Sequence, residues 1–179
     1  MLTNNRAVEV PLSYKHKPTV FTLYPLGDRA MLWSAHYADK EVVREKGSNR
    51  GYWVETFLSF AGIGPGWAWC ASFVYWCMSK AGHKPSVRFP ARVVSFYEWA
   101  AQNGRLCPIG DVQRADLFGW INEDGATGHI GFVIKRVDRN TIETIEGNVG
   151  KEGQKQGVHR KTRWCGTDKR WFGIRLNED

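Results

Sequence analysis

Cysteine is sparse: four occur among 179 residues, at 70, 77, 107 and 165, and no two form a CxxC pair. That spacing excludes a zinc ribbon and a thioredoxin-type redox motif, and the number is too small for a disulfide-built scaffold. No secretory leader is expected, since Met1 to Pro11 holds Arg6 and Glu9 and no apolar run of the required length. The expectation is a protein that stays cytoplasmic until something other than that route releases it. One stretch without a formal charge, Phe57 to Ser79, has 23 residues and by hydropathy alone could cross a bilayer. Gly62, Gly64, Pro65 and Gly66 sit near its middle and would break one continuous helix, so two shorter buried helices joined by a turn are expected, and no transmembrane segment. Internal repeats, low-complexity tracts and an interdomain linker are lacking too.

What is present suits one folded domain. Hydrophobic residues make up 42% and charged residues 24%, enough for a core and too apolar for a disordered chain. The net charge is +7, and nine tryptophans exceed what a core of this size needs. Residues 1–28 carry turn signals and weak patterns. Helical spacing runs from Ala30 to Lys46 with Gly47 as C-cap, from Tyr52 to Ala61, and from Cys70 to Ala81 before Gly82; a fourth helix opens at Arg88–Phe89–Pro90 and ends at Asn103–Gly104. Beyond Leu106 come short β-rich runs: Asp116 to Ile121, His129 to Val137, Thr141 to Glu146, Val158 to Trp164 and Trp171 to Leu176. Helices first and strands later predict an α+β domain, with N-terminal helices packed on a mostly antiparallel β-sheet of about five or six strands.

Cys70 follows a Gly-Pro-Gly turn and begins the apolar run CASFVYWCM. A helix start lowers a thiol pKa and its N–H groups can hold an oxyanion, so the place suits a nucleophile; a small core residue is the alternative. Cys77 lies two turns further on, about 10 Å away by helical rise, and reads as core. Cys107 and Cys165 carry no motif, and a pairing between them stays open. A thiolate needs a base that can also protonate a leaving amine, which is histidine's role. Of five histidines, His129 alone opens an apolar strand, GHIGFVIKR. If that strand and the next pair about the turn Asp138–Arg139, Asn148 falls opposite His129 and Glu146 on the diagonal. Either could fix the imidazole's tautomer; a two-residue slip would change the partners, so the choice stays open.

With WAWCASFVYWC, then GHIGFVI, then TIETIEGN, the sequence resembles the CHAP family of cysteine, histidine-dependent amidohydrolases and peptidases, in the NlpC-type papain-like superfamily. The run GSNRGYWVETFLSFAGIGPGWAWCASFV is similar to the segment before the family's nucleophile, and Phe172–Gly173–Ile174–Arg175 to its closing strand. The likeness covers about Val42 to Arg175. It implies a papain-like fold, with residues 1–40 as a lead-in and 41–179 as a CHAP-like catalytic domain within one globular unit. It further implies Cys70 as nucleophile, His129 as base and acid, Glu146 and Asn148 as supporting residues, and hydrolysis of a peptidoglycan amide bond. One departure is visible: where the family often has Gly-Asp-Leu, this chain reads Ala115–Asp116–Leu117.

Between Lys151 and Arg175 stand eight Lys or Arg against two acids, a segment suited to anionic envelope polymers. No nucleic-acid motif accompanies it, so nucleic acid is not an expected partner, and the protein is expected to be a monomer. Trp67 and Trp69 precede the nucleophile, and at least one is expected to line a substrate groove; Trp76 reads as core, while Trp120 and Trp164 fit either role. Asn122, Asp124 and Gly125 lack the ligand series of a calcium loop, so neither a metal nor another cofactor is expected. The reading is a peptidoglycan hydrolase, muramoyl-alanine amidase or stem or cross-bridge endopeptidase, of the kind found in phage lysins, virion-associated enzymes or secreted effectors. The alternatives are a thiol amidase for a non-wall peptide or small conjugate, and a catalytically silent basic module binding envelope polymers or nucleic acid.

Overall fold

A computed structural model describes residues 24–39, 49–150, 156–167 and 169–177. Among the described residues, four α-helices precede or flank the sheet: α1 (Leu26–Asp39), α2 (Tyr52–Phe60), α3 (Cys70–Lys80) and α4 (Val93–Gln102). Six strands follow: β1 (Leu106–Cys107), β2 (Leu117–Ile121), β3 (Gly128–Arg136), β4 (Thr141–Val149), β5 (Gly157–Trp164) and β6 (Arg170–Ile174). They form one sheet in the order β1-β6-β2-β3-β4-β5, and every pairing is antiparallel. This is the α+β, papain-like arrangement the sequence led us to expect.

The period-2 rule explains why one sheet carries two apolar surfaces. Leu117, Ile130, Phe132, Ile145, Phe172 and Ile174 point to the helices, while Phe118, Trp120, Val133 and Ile142 form a second cluster with Val112 and Cys165 on the other face. Helix α3 is buried along most of its length, from Cys70 to Tyr75 and again at Cys77 and Met78, and it packs on β3 and β4 with α1 and α2 beside it. An all-round apolar helix belongs in the middle of a layer, and that is its place. The charge-free stretch is thus split between α2 and α3 by the turn at 61–69, and no helix among the described residues is long and apolar enough to cross a membrane.

Two helix starts differ from the sequence reading. Helix α1 begins at Leu26, four residues before Ala30, and buries Ala30, Met31, Trp33 and Tyr37 in the core shared with α3; residues 40–48, with the expected C-cap Gly47, lie outside the described residues. Helix α4 begins at Val93 rather than beside Pro90, because residues 89–92 close a turn through Arg92 N–H to Phe89 O (2.9 Å). The corner before β2 is built on Ala115, which takes the left-handed conformation (φ 72°) where the family often carries glycine. Its cost is offset by fastening on both sides: Ala115 N–H donates to Val133 O (2.9 Å), Val133 N–H to Asp116 O (2.9 Å), and the buried Asp116 carboxylate accepts from Gln113 N–H (2.8 Å) and Arg175 (3.1 Å). Cys107 and Cys165 are not joined by a disulfide.

Candidate active site

The site forms where the start of α3 meets the ends of β3 and β4. Trp69 is the N-cap of α3 and supplies no side-chain cap, so the first-turn N–H groups are not closed off by a side chain. Cys70 is the next residue and is 5% exposed. The close approach depends on Gly147 of β4: a Cβ there would stand 2.8 Å from the Trp69 ring and 2.9 Å from that of Phe73. Any side chain at 147 would lever the helix start off the sheet.

His129, 8% exposed, lies opposite Trp120 of β2, and the two rings stack at 4.8 Å with a tilt of 35°. Its Nε2–H donates to Glu146 Oε2 at 2.8 Å, which leaves Nδ1 for the Cys70 sulfur, the second group hydrogen-bonded to this ring. The β3–β4 register at this end is the one expected from a turn at Asp138–Arg139, with Phe132 opposite Ile145 and Val133 opposite Thr144; a one-residue shift beyond Val133 is confined to the turn end. Extending it places Gly131 opposite Glu146, and a Cβ on Gly131 would come within 3.0 Å of Glu146 Cγ. The diagonal partner therefore has room to lean toward His129.

Glu146, not Asn148, makes this contact, and the reason lies in the backbone of β4. The β4–β5 ladder is irregular between Glu146 and Val149, and Asn148 sits in the left-handed region (φ 63°), which turns it out of the alternation. Its Oδ1 is buried without a hydrogen-bond partner among the described residues. Glu146 is fully buried and holds its charge through four donors: His129, Thr144 Oγ1 (2.5 Å to Oε1), and Arg163 through Nε (2.8 Å to Oε1) and Nη2 (2.5 Å to Oε2). Burial alone would raise this carboxyl, but Arg163 and His129 outweigh it and bring it down to about 2. Burial likewise disfavours the imidazolium, yet the Cys70 sulfur and Glu146 together push His129 up to about 9. The arrangement favours an imidazolium held between the Cys70 sulfur and the Glu146 carboxylate.

Residues 62–148 match the family model described as the CHAP domain. Over this span the chain is similar to a CHAP domain. No curated protein matches it. A CHAP domain points to hydrolysis of an amide or peptide bond, and here Cys70, His129, Glu146 and Asn148 all fall within the matched span.

Some sequence expectations around this site need correction. Trp69 has no exposed surface and packs against Phe57 and Phe73, so it cannot line a groove; as N-cap of α3 it is turned inward and belongs to the core. Trp67 is 68% exposed and remains accessible beside the turn. Trp76 donates to Tyr37 Oη (2.8 Å) against the core, as expected. Trp120 proves to be the wall of the His129 pocket, whereas Trp164 is exposed on β5. Arg163 was absent from the sequence reading of the site. It hid in a basic run, and only the β4–β5 register, pairing Ile142 with Arg163 and Glu146 with His159, shows it on Glu146's face. Asp124 closes the β2–β3 turn, accepting from Ala126 N–H, Thr127 N–H (both 2.9 Å) and Thr127 Oγ1 (2.5 Å).

Proposed function

We propose that this chain hydrolyses an amide bond of peptidoglycan by thiol catalysis. The reading is supported above all by one observation, the His129 ring held between the Cys70 sulfur and the Glu146 carboxylate. The Cys70 thiolate adds to the amide carbon, and the oxyanion is met by N–H groups at the start of α3. His129, protonated at rest, passes its proton to the departing nitrogen, so the C–N bond breaks and an acyl-thioester remains. Neutral His129 then takes a proton from water; the hydroxide adds to the thioester, and the carboxylic acid product leaves as the thiolate returns. Glu146 keeps Nε2 protonated throughout, as the third member of a triad does. The Asn148 amide oxygen, two residues beyond Glu146 and without a partner among the described residues, suits a polar contact to substrate or to the attacking water.

The substrate class rests on the family and on surface chemistry. Trp67 offers an exposed flat ring beside the nucleophile, the kind of face that sugar and peptide planes stack on. The cations of 151–175 are fewer in effect than by number, because Arg163 is spent on Glu146, Arg175 on Asp116 and Lys161 on Gly150 O. Arg170, exposed at the start of β6, is the cation of this segment offered here to anionic envelope polymers. Such an enzyme fits wall lysis as an antibacterial lysin or effector. Digesting purified sacculi and sequencing the released muropeptides by mass spectrometry tests this: new amino termini or freed lactyl groups should appear with the native chain and not with Cys70→Ala of equal Tm. Product release by that variant, or none by the native chain on any wall type, rejects the proposal.

A further inference from the structure

We propose that Arg163, on the strand beyond the residues matched by the family model, is a positioning residue for catalysis, locking Glu146 and Trp120 around His129 through its two-pronged contact with the carboxylate. The inference rests on the reading of Cys70, His129 and Glu146 as the reacting set.

Three features set Arg163 apart from the other cations of its segment. Its Nε and Nη2 reach different oxygens of Glu146, a fork that fixes the plane of the carboxylate as well as its place. Its guanidinium carbon also stands 5.5 Å from the Trp120 ring centre, and Trp120 is the ring stacked on His129. Finally, the side chain is only 25% exposed, against 0% for Glu146, so the pair is little screened by water. One side chain therefore braces both the hydrogen-bond acceptor of the imidazole and the wall it rests on. Thr144 Oγ1 completes the cage but carries no charge. A lysine could supply the charge at one point but not the plane.

The charged and titratable neighbours of Glu146 are His129 from β3, Arg163 and His159 from β5, and Cys70 beyond the imidazole. Without Arg163, Glu146 loses its strongest reason to stay ionised, and its protonation in mildly acid solution would release the imidazolium and with it the thiolate. Outer-shell partners of this kind are worth roughly 10–100-fold in rate.

The test compares the native chain, Arg163→Gln, Arg163→Lys, Glu146→Gln and the Arg163→Gln, Glu146→Gln double variant. Two readouts are taken against pH: wall digestion, and the rate at which iodoacetamide alkylates Cys70, located by peptide mapping. Arg163→Gln should lose roughly 10–100-fold in digestion, and the acid limb of both profiles should move up by about one pH unit. Arg163→Lys should keep the acid limb and lose part of the rate, and it serves alone if Arg163→Gln does not fold. In the Glu146→Gln background, Arg163→Gln should add almost nothing. A native acid limb and rate in Arg163→Gln, a full native rate in Arg163→Lys where that variant stands alone, or an undiminished loss in the Glu146→Gln background overturns the proposal. If the native chain itself shows no selective alkylation of Cys70, the underlying reading of the site fails instead.

Discussion

Cys70 and Cys77 lie on one helix, two turns apart, and are both buried, yet only Cys70 faces the His129 ring. Cys77 is wholly enclosed by apolar side chains, and burial pushes its thiol well above the usual range. Cys70 stands at the first turn, where helix N–H groups are uncapped by side chains, and it is bonded to the His129 ring. Burial is thus common to both, and the difference lies in what each sulfur faces: hydrocarbon in one case, an imidazolium fixed by Glu146 in the other. Serine at the two positions separates these roles most sharply. Cys70→Ser should lower wall digestion by at least about a thousandfold, since a hydroxyl is a far weaker nucleophile than a sulfur, and should leave Tm near native. Cys77→Ser should keep the catalytic rate constant but lose roughly 1–3 kcal/mol of stability by burying a hydroxyl among apolar groups. Thermal melts and digestion rates measured on both variants would contradict this if the losses were exchanged.

A smaller change can carry the active end of the helix toward the inert condition of the other. In Gly147→Ala the new methyl must displace the Trp69 and Phe73 rings, rigid groups in a filled core, from 2.8 and 2.9 Å. Overpacking of this kind costs about 1–3 kcal/mol, and moving Cys70 by around 1 Å relative to His129 is worth about 100-fold in rate. We expect both losses together in digestion and melting. A variant that loses stability at full rate would show that the helix start tolerates displacement.

The same geometry explains what could be read before the fold was known. The order Cys70, His129, Glu146 and the α+β class were legible, because helix starts, apolar periodicity and one hairpin register are local or nearly local signals. The choice between Glu146 and Asn148 was not, since it turns on the left-handed backbone at Asn148, which no spacing announces. Trp69 was assigned to the groove because adjacency to a nucleophile resembles proximity to substrate; at a helix N-cap the chain reverses, and neighbours two apart face opposite ways, Trp67 outward and Trp69 inward. Arg163 needed two strand pairings in succession, a long-range fact hidden within a basic run. Ala115 shows the converse: the glycine missing from the corner before β2 is replaced by an alanine held in the same left-handed region by its neighbours' hydrogen bonds.

The smallest effect is on stability against pH, and it separates the two ends of α3 without any substrate. His129 is raised from 6.5 to about 9, so its contribution is complete below 6.5 and is lost as pH climbs to about 9, the native state then holding a proton the unfolded chain has released. Glu146 is lowered from 4.5 to about 2, so its contribution is complete above 4.5 and fades as pH falls to about 2. Cys77 stays neutral across that whole range in the native state and adds no slope below its ordinary thiol value of 9.0. Tm should therefore be level between 4.5 and 6.5 and decline by a few degrees toward each side. Asp124 and Asp138 are also lowered by turn hydrogen bonds and share the acid decline, so the alkaline side is the cleaner test. There, His129→Gln should remove most of the slope between 6.5 and 9 while Cys77→Ala keeps it; a full slope in His129→Gln would mean that the protonated ring does not hold the helix start to the sheet.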